Sequence, residues 1–199
     1  MKKIIVAAVA AAMMLSATNA SAQYVAGGGF VNSTFSGKDN YMGFSLPGFF
    51  VGVGYDIAFS SLEGLTFEPG AYFMHFGKKG SSSKGGFVID ERSYHSNYIS
   101  IPLDIKYSYE ITPVIKVTGY TGPRFNIGLG VGNAFKKVEK GGLGLSLFDA
   151  QWGFGVSGTY ADAVRLSLGY DLGMSKVSKE NSDFKMRRNS LHIGVAFLF

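Results

Sequence analysis

Along most of this chain, apolar positions alternate with small or polar ones at a period of two, the mark of an extended strand with two unlike faces. Ile99, Ile101, Leu103, Ile105, Tyr107 and Tyr109 share one side of a strand whose other side carries Ser100, Pro102, Asp104, Lys106 and Ser108. Val164, Leu166, Leu168, Tyr170, Leu172 and Met174 oppose Arg165, Ser167, Gly169, Asp171 and Gly173. Val51, Val53, Tyr55, Ile57 and Phe59 oppose Gly52, Gly54, Asp56 and Ala58. At the end of the chain, Leu191, Ile193, Val195, Phe197 and Phe199 oppose His192, Gly194, Ala196 and Leu198. Read in this way, the chain contains eight strands, over 24–35, 49–59, 65–76, 99–109, 115–129, 147–160, 164–174 and 188–199. The first is the weakest, because Gly27, Gly28 and Gly29 lie inside it and glycine in a strand marks a bend or a close approach.

Short and long connections alternate strictly. Residues 60–64, 110–113 and 161–163 read as tight hairpin turns. Residues 36–48, 77–93, 132–146 and 175–187 are longer and polar. An even number of antiparallel strands joined in this way places both chain ends on the short-turn side. The expected fold is all-β, an eight-stranded antiparallel up-and-down barrel. Periodicity alone leaves open which way its apolar rows point. In a soluble ligand-carrying barrel they would point inward, and in a transmembrane barrel outward into lipid.

The two ends of the chain favour the membrane. Lys2 and Lys3 precede an Ala-rich apolar run, Ile4 to Leu15, and Ala20-Ser21-Ala22 is a small-residue cleavage site. This reads as a secretory signal peptide over 1–22, with a barrel domain over 23–199. The apolar run is too short to span a bilayer as a helix. The closing strand ends on Phe199, which resembles the terminal signature of bacterial outer-membrane proteins and is expected to act as a signal to the barrel-assembly machinery. The aromatics sort by height. Tyr55, Phe59, Phe67, Tyr107, Tyr109, Tyr160, Phe197 and Phe199 lie near the short turns, and Phe49, Phe73, Phe125, Phe148, Trp152 and Tyr170 near the long connections. Two belts at two interfaces suit amphipathic rings. The expected location is the bacterial outer membrane.

Composition adds limits. There is no Cys, so disulfides and a thioether-linked lipid anchor are excluded. The net charge is +5, and removal of Lys2 and Lys3 with the leader would leave +3. Lys78, Lys79, Lys84, Lys136, Lys137, Lys176, Lys179 and Lys185 fall in the long connections, where lipopolysaccharide phosphates, a host or surface ligand, or solvent alone could meet them. No basic-aromatic constellation suits nucleic acid.

With the apolar rows in lipid, the interior receives Asp56, Glu68, Asp104, Lys106, Lys116, Arg124, Gln151, Arg165 and Asp171. An eight-stranded barrel is just wide enough for side chains to fill it. Buried charges must be paired or hydrated. This set is therefore either a salt-bridged structural plug or a small gated ion path. Ser190 and His192 share one face, two residues apart, whereas a serine esterase needs a base within hydrogen-bond reach of the nucleophile and an orienting carboxylate. No spacing suits a metal, and no cofactor is implied.

The runs Pro47-Gly48-Phe49-Phe50-Val51-Gly52-Val53-Gly54 and Gly64-Leu65-Thr66-Phe67-Glu68-Pro69-Gly70 resemble the first half of the porin-like outer-membrane beta-barrel domain common in Bacteroidetes. Tyr98-Ile99-Ser100-Ile101-Pro102-Leu103-Asp104-Ile105-Lys106-Tyr107 is similar to that family's Y-L-x-I-P-L-x-x-K-Y strand, and Gly122-Pro123 and the last two strands follow in matching order. The resemblance implies a transmembrane barrel of the OmpA and OmpX kind, without catalytic residues or a defined substrate. The expected role is non-enzymatic, structural or at the cell surface. A solute or ion porin is the alternative, and a lipid A-modifying outer-membrane enzyme is a more remote one. Small deacylases of that last kind carry His-x-Ser, and here the order is reversed.

Overall fold

The computed structural model describes residues 22–37, 44–59, 61–84, 87–131, 148–175 and 186–199; apart from Ala22, the expected leader lies outside them. Eight strands follow one another: β1 (Ala22–Gly37), β2 (Phe44–Ala58), β3 (Leu65–Lys84), β4 (Phe87–Thr112), β5 (Ile115–Val131), β6 (Phe148–Tyr160), β7 (Val164–Gly173) and β8 (Met186–Leu198). Each pairs antiparallel with its neighbours in sequence, and β1 pairs with β8 to close the barrel.

The register fixes the barrel's dimensions. Partners followed once around, from Ala22 through Ile57, Phe67, Ile105, Thr121, Phe154, Tyr170 and Leu191, lead back to β1 at Asn32, ten residues from the start. For eight strands that stagger corresponds to a strand tilt of about 40° and a backbone radius of about 8 Å. Side chains from opposite walls can therefore meet. Closure runs to the last residue: the Tyr24 amide donates to the Phe199 carbonyl at 2.8 Å, and the Phe199 amide to the Tyr24 carbonyl at 3.0 Å.

The expected faces are the observed ones. Val51, Val53, Ile105, Tyr107, Leu166, Leu168, Ile193, Val195 and Phe197 are exposed on the outside, while Asp56, Glu68, Asp104, Lys106, Arg165 and Asp171 are buried inside. This overturns the soluble alternative, because in water such a continuous apolar wall would be an aggregation surface. At the turn end Tyr24, Phe59, Tyr107, Tyr109, Tyr160 and Phe199 are exposed, and at the loop end Phe49, Phe125, Phe148 and Trp152. The Trp152 indole donates to the Thr121 hydroxyl at 2.9 Å. Tyr55 departs from its row. It is only 4% exposed, and the ring of its cross-strand partner Tyr24 lies 4.9 Å away.

The connection expected over 77–93 differs more. It is largely strand: Gly77 pairs with His95 and Lys84 with Phe87, with one irregularity between Gly80 and Ser82. Crossing a bilayer takes about 9–11 residues, whereas β3 has 20 and β4 has 26. The β2 register on β3 ends at Phe76, and the β5 register on β4 ends at Ser96. Above those residues the two strands rise as a ribbon. Polarity argued for a loop there, but the backbone ladder needs no apolar face once it leaves the barrel. The expected connection over 36–48 is shorter than anticipated, since β2 begins at Phe44. Those over 132–146 and most of 175–187 lie outside the described residues.

At the other end the turns are tight. The Ala163 amide bonds to the Tyr160 carbonyl at 3.0 Å, and Ala161 and Asp162 have φ of 52° and 51°. Two positive φ values define the type I′ hairpin turn, whose twist matches the strands. Ala161 is poorly suited to that conformation and asparagine tolerates it. Ala161→Asn should therefore raise stability by about 0.5–1 kcal/mol, part of the left-handed penalty of an ordinary residue, read as a higher urea midpoint of refolded protein in detergent.

Candidate functional site: the charged barrel interior

Inward-facing residues recur at every second position of each strand, and the tilt stacks them in tiers. The lowest tier, near the turns, joins four strands. Arg165 of β7 donates through Nη2 to Asp56 Oδ2 of β2 at 2.5 Å and through Nη1 to Glu68 Oε2 of β3 at 2.7 Å. Lys106 of β4 bonds to the same Glu68 oxygen and lies 3.4 Å from Asp56 Oδ1. Two acids and two bases thus form a neutral quartet across the full bore. Shared carboxylates and charge-assisted bonds suit a site with little water to solvate an unpaired group.

The middle tier is centred on Arg124 of β5, whose Nη2 donates to Asp104 at 3.2 Å and whose Nε lies 3.0 Å from Asp171. His192 of β8 has Nδ1 3.4 Å from Asp171 and Nε2 3.1 Å from the Tyr120 hydroxyl. Glycines make the room. A Cβ at Gly153 would stand 2.4 Å from Arg124 Nε, and one at Gly169 would stand 2.3 Å from the Tyr120 oxygen and 2.4 Å from His192 Nε2.

The upper tier, near the long connections, pairs Arg188 with Asp149 at 2.7 Å. Its guanidinium lies over the rings of Tyr98 at 4.4 Å and Phe76 at 5.3 Å, so cation–π attraction adds to the ion pair. Gln151 donates to the Arg188 carbonyl at 2.8 Å and accepts from Asn126 at 2.9 Å.

Between the lower and middle tiers lies a cavity of about 80 Å³, lined by Tyr72, Asp104, Tyr120, Ser157 and His192 among others. That is room for a few waters, not for a solute. A wider vestibule of about 530 Å³ lies at the turn end, bordered by Gln23, Glu63, Glu110, Lys116 and Asp162, and Asp56 and Arg165 of the quartet also line it.

The rows are lipid-facing and the interior is charged, which is the arrangement of an outer-membrane barrel. The sequence profile of the outer membrane protein beta-barrel domain matches residues 16–179. The chain belongs to that family. Ail, the attachment invasion locus protein of Yersinia pestis, solved with the heparin analogue sucrose octasulfate, has a similar fold. The TM-score is 0.54 at 13% identity, covering 89% of this chain and 99% of that one. Neisserial surface protein A is similar with a TM-score of 0.50 at 19% identity, over 90% of this chain and 99% of that one. No curated protein matches the sequence. Family and fold place this outer membrane protein beta-barrel domain in the bacterial outer membrane.

Of the interior residues expected from the sequence, Asp56, Glu68, Lys106 and Arg165 meet in one tier and Asp104, Arg124 and Asp171 in the next. Lys116 joins neither. It sits on the rim, 3.1 Å from Glu110, its cross-strand partner on β4, and 3.0 Å from Asp162 on the β6–β7 turn, with its side chain 28% exposed. Asp149, Arg188 and His192 were absent from that expected set, although they have the inward parity of Gln151, Ser190 and Gly194. Ser190 and His192 do share the inner face, but the Ser190 hydroxyl pairs with Ser33 at 2.8 Å and His192 with Tyr120. Among the described residues, no group of three or more His, Asp or Glu is placed to hold a metal.

The tiers differ from the rim in what a substitution should do. Arg165→Met leaves Asp56 and Glu68 with Lys106 alone and should lower stability by about 3–5 kcal/mol, as for a broken buried pair. Lys116→Met removes exposed bridges and should change it by less than about 1 kcal/mol. Urea unfolding of the refolded variants in detergent measures both.

Proposed function

We propose that this outer-membrane barrel is non-enzymatic and does not conduct, and that it serves the envelope as a wall element presenting its outer rim to the surroundings. The observation that carries this reading is the Asp56–Glu68–Lys106–Arg165 quartet, which crosses the bore and binds together four strands. An ion entering the turn-end vestibule would meet charges already neutralised by one another, and behind them a cavity of only about 80 Å³. The interior acids and bases nearly balance, so no field of one sign draws ions in. The competing reading as a porin predicts the opposite in planar bilayers. Refolded wild-type protein should give no reproducible conductance steps, and steps of uniform size would favour the porin.

The absence of enzymatic chemistry in this proposal rests on geometry. A lipid-directed hydrolase needs its nucleophile and base in hydrogen-bond reach of each other and of the lipid. Ser190 and His192 are instead bonded to other partners inside the wall. The β3–β4 ribbon is the natural carrier of a surface role. Its sequence includes Lys78, Lys79, Lys84 and Arg92, which would suit phosphates of lipopolysaccharide or a sulfated surface glycan, the class of the heparin analogue bound to Ail.

Export and assembly complete the proposal: residues 1–22 act as a cleaved leader, and Phe199 is read by the assembly machinery. The Phe199 ring lies 6.4 Å from that of Tyr24, while its backbone closes the ladder. Phe199→Ala keeps the backbone bonds and removes only the ring, worth at most about 1.5–3 kcal/mol. It should therefore depress the membrane-inserted yield in cells well beyond any shift of the urea midpoint in detergent. An unchanged yield would leave Phe199 as an ordinary interfacial residue.

A further inference from the structure

At the loop-end margin of the barrel, the outer face of the β3–β4 pair carries two histidines. His75 stands opposite Asn97, and the next outward pair along the strands is Gly77 opposite His95. His75 and His95 are thus diagonal neighbours on one face. Diagonal neighbours lie about 7–8 Å apart, and somewhat less between their Cβ atoms, within joint reach of two long side chains.

The surroundings of His75 define its chemistry. Its Nδ1 is 2.7 Å from the Asn97 side-chain oxygen. An amide oxygen only accepts, so Nδ1 carries the proton and Nε2 keeps its lone pair. The ring is flanked by Phe49, 5.3 Å away between centroids. Nε2 points along the strand over Gly77, 3.3 Å from where a Cβ of that residue would stand. Any larger residue at position 77 would obstruct the space toward which Nε2 is directed, on the side of His95. A second-sphere hydrogen bond that fixes the tautomer and leaves Nε2 free is the usual preparation of an imidazole for a metal.

We infer that His75 and His95 form a surface site for a borderline divalent cation, Cu²⁺, Ni²⁺ or Zn²⁺. Imidazole favours these ions, at metal–nitrogen distances of about 2.0–2.1 Å. Two protein ligands leave the remaining coordination positions to water or to an exogenous oxygen donor at the level of the lipid headgroups. Asn97 is a positioning residue, acting through His75.

The test uses full-length barrel refolded in detergent, each variant first shown to be folded by the mobility difference between unheated and boiled samples. Titration with Cu²⁺ alone, followed by calorimetry and electron paramagnetic resonance, should give one saturable site per chain with two nitrogen ligands. His75→Ala and His95→Ala should each weaken it at least tenfold. Asn97→Leu should weaken it less, and Asn97→Asp, which retains an acceptor for Nδ1, should restore it. Uptake that is not saturable, affinity unchanged in either histidine variant, or loss in His75→Ala alone would overturn the two-histidine site.

Discussion

A bilayer offers no partner to a backbone amide, and the rest of this structure depends on that constraint. Every strand within lipid must be bonded on both sides, so the first and last strands must meet. The reciprocal bonds between Tyr24 and Phe199 are the end of that requirement, carried to the last residue of the chain. Closure with eight strands and a stagger of ten residues then fixes a bore that side chains from opposite walls can span and that backbone alone would leave empty. Side chains must fill it. Because half of every strand faces inward, the filling comes from all eight strands, and its polar members must find partners across the bore.

Those partners are far apart in sequence. Arg165 reaches Asp56 and Glu68, more than ninety residues away. No local pattern encodes such a pairing. What the sequence does encode is parity, because side chains alternate strictly between the two faces. Strand positions, their order and most of the inward charges were legible for that reason. The identity of each ion-pair partner was not, because it depends on the stagger, which only the closed barrel defines. Asp149 and Arg188 had the right parity but lie at strand ends, where alternation fades and a charge reads as part of a loop. Lys116 had inward parity too, yet sits so close to a turn that its amine finds Glu110 and Asp162 instead.

The glycines were legible as small residues but not in their purpose. Gly153, Gly155 and Gly169 line a hollow on the inner wall of β6 and β7, filled by Arg124, Tyr120 and His192 from β5 and β8. The alternation of bulky and absent side chains lets large polar groups lie within a radius of about 8 Å. The β3–β4 ribbon was hidden for a related reason. Serine, glycine and lysine carry no face preference once a hairpin has lipid on neither side, so periodicity disappears where the ladder continues.

Trp152 has a consequence of its own. It is the chain's single tryptophan, it points outward near the loop end, and its indole is tethered to Thr121. All tryptophan emission from this protein therefore comes from one ring held at one height in the wall. Lipids brominated at known depths would quench it only when the barrel is inserted, so the molecule carries its own optical gauge of membrane entry.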